Sequence, residues 1–198
     1  MPVNQEMDYS QTCNFTGMRT AYIKFFAAVN GNTANGLMNI IDQKVAEGFK
    51  KIVLLISTPG GSVFHGLSIH NYLVGIPVEI ETHNFGSVDS IGVVIFCAGT
   101  KRYSAPDARF LLHPVAAGIN GNLETEKVEE ILKGLKIDTE NIAATMAKAT
   151  GKQLNEIIRS INERTTLSPK EALNFALVHE IRKELFPEGA HVISVNAS

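Results

Sequence analysis

Three short segments hold residues suited to acyl-transfer chemistry. The first, Ser57-Thr58-Pro59-Gly60-Gly61-Ser62, directly follows an apolar run. Paired glycines at such a turn admit positive φ and leave backbone N–H groups uncovered, where an oxyanion or a phosphate can be held. No Gly-Lys-Ser/Thr follows, so the turn is not a nucleotide-binding P-loop. The second is Gly86-Ser87-Val88-Asp89-Ser90-Ile91-Gly92, read as a polar turn with an apolar helix growing out of it. Ser90 has the setting of a nucleophile elbow, with the Ile91 N–H aimed at the same space, although Val88 breaks the G-x-S-x-G spacing. The third, Arg109-Phe110-Leu111-Leu112-His113-Pro114, ends an apolar strand on a histidine, at the kind of strand end where catalytic groups collect. Read singly, each segment also has a structural explanation: a plain strand-to-helix turn, a helix cap at Ser90 or Asp89, and a core histidine.

The elements that must position these segments alternate between strand and helix. Ala21 to Val29 predicts a first strand, and Asn30 to Thr33 a turn able to cap the next helix. That helix has Leu37, Ile40, Ile41 and Val45 on one face and Gly48 at its stop. Ile52 to Ile56 is a continuous apolar run, the pattern of a strand buried on both faces of a sheet. A helix from Val63 to Val74, a strand from Val78 to Thr82, a helix from Ile91 to Ala98, and short strands at Lys101 to Ser104 and Arg109 to His113 continue an α/β alternation. After Pro114 the pattern changes. A glycine-rich loop, Ala116 to Asn122, leads to a long helix over Glu124 to Ala149, apolar at Val128, Ile131, Leu132, Leu135, Ile142, Ala143 and Met146 and charged on its other face. Gly151 stops it, and Gln153 to Ile161 predicts a shorter helix. Ser168-Pro169-Lys170-Glu171 is a helix start, with Ser168 as N-cap, Pro169 at N1 and Glu171 closing a capping box. That helix runs through Ala176 into a last strand, Leu177 to Ile181.

Composition narrows the function classes. A chain of 198 residues, 44% hydrophobic and 19% charged, can bury one substantial core. Residues 1 to 19 are polar and aperiodic and predict a flexible leader; residues 20 to 198 predict a single domain. A net charge of -2 offers no cationic surplus for nucleic acid or an anionic membrane, and no apolar run is long enough to cross a bilayer. The start, MPVNQEMDYS, lacks the basic and apolar regions of a secretory signal. The two cysteines, Cys13 and Cys97, read as free thiols of a reducing compartment, and the expectation is a cytoplasmic protein. His65 and His70 share a helix without zinc-peptidase spacing, and His83, His179 and His191 have no clustered ligands, so neither metal nor cofactor is expected.

Taken in order, STPGGSV, FGSVDSIG and RFLLHP resemble the Clp protease proteolytic subunit, and so do the long helix and LSPKEALNFALVHEI. The resemblance covers roughly residues 20 to 185. It implies a Clp/crotonase-like fold of stacked ββα units with a projecting handle helix. It implies Ser90 as nucleophile, His113 as base, and the backbone N–H groups of Gly61 and Ile91 as the oxyanion hole. It further implies a serine endopeptidase acting on unfolded polypeptides, a homo-oligomeric assembly of two face-to-face heptameric rings enclosing a chamber, and an AAA+ unfoldase partner.

One position departs from that family. Its third catalytic residue is an Asp just upstream of the LSxxEA segment, and Arg164 falls there. An Arg accepts no hydrogen bond from an imidazole N–H, and its charge disfavours the imidazolium. Asn162 or Glu163 could orient the ring, or a backbone carbonyl could do so. Competing readings are a catalytically silent ring subunit, favoured by Arg164, and a crotonase-type acyl-CoA enzyme, disfavoured by the Ser90 and His113 pair. A Ser-Lys dyad would need Lys101, the lysine nearest to Ser90 in sequence.

Overall fold

In the computed structural model the described residues are 19–119 and 121–195. The expected leader therefore lies, apart from Arg19, outside the described residues, as does Cys13. Eight strands form one sheet in the order β6-β5-β3-β2-β1-β8, with β4 joined to β3 and β7 to β4. The strands are β1 (Thr20–Phe26), β2 (Lys51–Thr58), β3 (Glu79–Asp89), β4 (Lys101–Ser104), β5 (Arg109–Leu111), β6 (Thr166–Leu167), β7 (Glu180–Ile181) and β8 (Val192–Ser194). All pairings are parallel except β5 with β6.

β2 lies at the centre, and its residues from Ile52 to Thr58 are all buried, as a continuous apolar run demands. On one face, Ile52, Leu54 and Ile56 pack with Leu37 and Ile41 of α1 (Gly31–Ala46) and with Ile69 and Leu73 of α2 (Val63–Gly75). Asn30 caps α1 through a capping box with Thr33. On the other face, residues 182–188 pass above Tyr22, Val53, Glu81, His83 and Tyr103 and enclose a polar cavity of about 450 Å³. Glu81, buried there, pairs with Lys51 at 2.7 Å and Lys101 at 3.7 Å. The mixed α/β architecture expected from the sequence is the one observed, including the 26-residue helix α4 (Thr125–Thr150), whose Val128, Leu132 and Ile137 stay exposed.

Several element ends differ from the sequence reading, and three differences matter most. β3 does not end at Thr82 but continues to Asp89, because its second half gains a new partner in β5. The last strand shrinks to Glu180–Ile181, since the chain after α6 (Pro169–Asn174) turns through Ala176 at φ 61°. β8 pairs with β1 across most of the sequence, and no local pattern announced it.

A buried cation ties the layers together. Arg102 is 5% exposed, and no acidic side chain reaches it among the described residues. Its Nε donates to Leu177 O at 2.8 Å, Nη1 to Gly99 O at 3.2 Å, and Nη2 to Ala149 O at 2.7 Å and Ala176 O at 3.1 Å. These carbonyls lie at the C-terminal ends of α3 (Ile91–Phe96), α4 and α6. Helix C-termini carry unsatisfied carbonyls and partial negative charge, which a guanidinium can serve together. We expect Arg102→Met to cost about 3 kcal/mol in urea unfolding, because it strands buried acceptors, and Arg102→Lys to recover less than half, having no planar fork to span them.

His83 sets a second expectation. It is 1% exposed, and its Nε2–H donates to Arg182 O at 3.1 Å. Burial, foremost, holds its pKa below the usual histidine range; the Arg182 charge adds to this, while the Arg182 carbonyl and Glu180 oppose it. The unfolded chain then binds the proton more readily than the folded one. Stability is therefore complete above the unfolded value of about 6.5 and falls as pH drops from there toward the folded value. Urea midpoints should be level between about pH 7 and 8 and decline below about 6.5, and His83→Gln should flatten the decline.

Candidate functional site

The site is built where β3 gives way to α3. Ser90 sits at that junction with φ 57° and ψ -129°, a region that L side chains occupy only under constraint. The constraint comes from both directions. Ser90 N–H donates to Leu111 O at 2.8 Å, and Val93 N–H donates to Ser90 O at 3.0 Å. Ser90 stands at the N-cap position, yet its side chain makes no capping bond, so the hydroxyl is not spent on the helix. All six residues of α3 are buried, which anchors the junction from behind.

The Gly60-Gly61 turn packs against this junction. A Cβ on Gly60 would stand 2.7 Å from Ser90 Cβ and 2.8 Å from Asp89 O, and Gly60 has φ 86°. A Cβ on Gly61, at φ 145°, would collide with Val29 O. Both positions therefore require glycine, on contact as well as on backbone geometry. Val29 N–H donates to Gly60 O and Ser62 N–H donates to Val29 O, each at 2.8 Å. In such a parallel bridge, the central residue's own N–H points away from the partner strand. Gly61 thus keeps its N–H for the opposite side, where the cavity lies. Ile91 is the first helical residue of α3, whose N–H has no intrahelical partner.

His113 follows β5. Leu112 N–H donates to Thr165 O at 2.9 Å, and the strand pairs with β3 on one side and β6 on the other. His113 Nδ1 lies 2.9 Å from Pro114 O. A carbonyl only accepts, so Nδ1 carries the hydrogen and the neutral ring holds its free lone pair on Nε2. Ser90, Ile91, Gly61 and His113 all line one cavity of about 130 Å³. Its walls are apolar: Val63, Val93, Leu112, Ile142, Met146 and Ile161 among them. No direct hydrogen bond joins Ser90 Oγ to the imidazole.

The other sequence candidates stand apart. Asn162, Glu163 and Arg164 are exposed, line no part of the cavity and do not bond His113; Arg164 takes φ 55° in the loop. Asp89 is buried beside Ser90, but its carboxylate is engaged by Ser87 Oγ at 2.7 Å and Arg109 Nη2 at 2.8 Å. Lys101 pairs with Glu81 away from Ser90. His65 bonds Ser62 Oγ, His70 the carbonyl of Val94, and His179 accepts from Arg102 N–H. Among the described residues no group of three or more His, Cys, Asp or Glu stands close enough to hold a metal ion, and no helix is long and apolar enough to cross a membrane. The buried Cys97 thiol, with its pKa pushed up to about 12 by burial, is a poor nucleophile.

Sequence reasoning left one part of the site open and missed two. A backbone carbonyl was among the options for orienting His113, but nothing in the residue types marked Pro114 as its source. The Ser87–Asp89–Arg109 network was hidden because 86–90 reads as a turn; recognising a strand there would have put Ser87 and Asp89 on one face. The cavity wall was visible only as the apolar face of α4 and of α5 (Leu154–Asn162).

The Clp protease family model matches residues 10–184. The ATP-dependent Clp protease proteolytic subunit 1 of Mycobacterium leprae is 31% identical over 156 residues, 77% of each chain. The ATP-dependent Clp protease proteolytic subunit 2 of a Synechococcus strain is 30% identical over 169 residues, covering 83% of this chain and 84% of the relative. A solved ClpP1 mutant from Listeria monocytogenes has TM-score 0.75 and 25% identity, covering 84% of this chain and 92% of that one. By sequence over most of its length, and by fold, the chain belongs to the Clp protease family.

Proposed function

We propose that the chain is a serine endopeptidase in which Ser90 is the nucleophile and His113 the general base. The observation that carries this reading is the meeting of Ser90, His113, Gly61 and Ile91 around one cavity, with the His113 lone pair on Nε2. The imidazole Nε2 takes the Ser90 proton as Oγ attacks the peptide carbonyl. The N–H groups of Gly61 and Ile91 stabilise the oxyanion, and the imidazolium returns the proton to the leaving amine. Water then hydrolyses the acyl-enzyme by the same route.

Pro114 O replaces a carboxylate as the partner of Nδ1. A carbonyl dipole fixes the tautomer, which a carboxylate also does, but it stabilises the imidazolium less. The reaction is therefore slower than that of a full triad; in one known triad, removing the carboxylate's charge cost about 10⁴ in rate. The apolar walls suit an apolar side chain on the acyl side of the scissile bond. The exposed Val128, Leu132 and Ile137 of α4 suit packing against another copy, in an oligomeric chamber receiving unfolded polypeptide from an ATP-dependent unfoldase. A second reading, a silent ring subunit, draws support from the exposed Arg164 and from the lack of a carboxylate on His113. A crotonase-type acyl-CoA enzyme loses support, since the sequence relatives are Clp subunits.

A fluorophosphonate probe separates these readings. It should label the wild type, not Ser90→Ala, and label His113→Ala about 10²–10⁴ times more slowly. Assembled, folded protein that takes no label would establish the silent subunit. A separate expectation concerns the wall. Ile142→Phe, which narrows the cavity, should raise KM about tenfold for fluorogenic peptides with Leu or Met before the cleaved bond, while the probe still labels Ser90.

A further inference from the structure

The ladder joining the nucleophile's strand to the base's strand is only three pairs long: Ser87 with Arg109, Val88 with Phe110 and Asp89 with Leu111. So short a ladder specifies register weakly by its backbone bonds, because those bonds reform after a slip. A slip of one residue would carry His113 about 3.3 Å along the strand and turn it to the other face. Something must hold the register. Asp89 immediately precedes Ser90, and Arg109 lies four residues before His113. The Arg109 guanidinium crosses the ladder and donates from Nη2 to Asp89 Oδ2 at 2.8 Å, while Ser87 Oγ donates to Asp89 Oδ1 at 2.7 Å. Asp89 is 8% exposed, so its carboxylate depends on these partners. Its own carbonyl lies close to Gly60, so that a Cβ at residue 60 would stand 2.8 Å from it.

We propose that the Asp89–Arg109 ion pair is a positioning clasp that fixes the register of β5 on β3, and with it the placement of Ser90 against His113. The proposal rests on the catalytic assignment above. Neither residue lines the cavity that holds Ser90 and His113. The clasp acts through the two strands it joins.

The test uses Asp89→Asn and Arg109→Gln, with Arg109→Lys as the conservative variant. Peptide hydrolysis, probe labelling, thermal unfolding and hydrogen exchange at the Ser90 and Leu112 amides are measured together. We expect kcat to fall about 10²-fold in the Asn and Gln variants with KM nearly constant, as for a small misplacement of reacting groups. Both amides should exchange faster, and Arg109→Lys should restore most of the rate. Variants with wild-type kcat and unchanged exchange would overturn the clasp. So would a rate loss that only tracks unfolding and is not rescued by Lys. Should the wild type neither cleave nor take the probe, the peptidase assignment fails, and exchange alone decides: faster exchange at Ser90 and Leu112 in Asp89→Asn sustains the register device, and unchanged exchange rejects it.

Discussion

A single buried cation holds the C-terminal ends of three helices. Among the described residues no carboxylate pairs with Arg102, and the negative poles of α3, α4 and α6 compensate its charge. What depends on this knot is the placement of each element. α3 begins at Ser90, α4 lends Ile142 and Met146 to the cavity wall, and α6 follows the β6 strand that backs His113. A guanidinium suits the place because its donors diverge in one plane toward four separate carbonyls, where a lysine would supply one point charge.

At the front of the molecule the dominant constraint is steric. Ser90 is forced to φ 57° between two backbone hydrogen bonds, and the Gly60-Gly61 turn closes to contact with it. A serine in such a conformation stores roughly 1–3 kcal/mol, which only a rigid surround can hold. The surround is rigid because α3 is wholly buried and Val29 clamps the glycine turn from both sides. The strain has a use. It lifts the Ser90 side chain off the helix it would otherwise cap and leaves its hydroxyl at the cavity.

How much of this the sequence disclosed depends on whether the signal was local. Periodicity marked α1, α2 and α4; Asn30 and Ser168 marked helix starts, and both form the capping boxes that their neighbours suggest. The apolar run at Ile52 to Ile56 read correctly as a doubly buried strand. Long-range pairing left no such trace. Val192–Ser194 becomes a strand only because β1 offers it an edge, and β3 runs on through Gly86-Ser87 only because β5 lies alongside. In the site, the residue types at Ser90, His113, Gly61 and Ile91 were legible. The partner of His113 Nδ1 was left open between Asn162, Glu163 and a backbone carbonyl, because a carbonyl has no residue signature. Of these, 162–164 lies on the surface and lends the site no side chain.

The back and the front of the molecule meet at one residue. β3 pairs with β4 as far as Asn84 and Ser104, and with β5 from Ser87 and Arg109 onward. Between these ladders the backbone must change partners, and a buried backbone group without a partner is costly. Asn84, fully buried, fills the gap. Its Nδ2 donates to Arg109 O at 2.8 Å, its Oδ1 accepts from Gly86 N–H at 3.0 Å, and its own carbonyl accepts from Ala105 N–H at 2.8 Å. One side chain thus bonds the first residue of the His113 strand and the bend leading to Ser90, while its backbone holds the strand that carries Arg102. The forked strand makes the cation knot and the Ser90–His113 cavity parts of one frame. A side chain that presents both a donor and an acceptor in fixed relation is what the fork requires, since an aspartate could not donate to Arg109 O and a leucine could do neither.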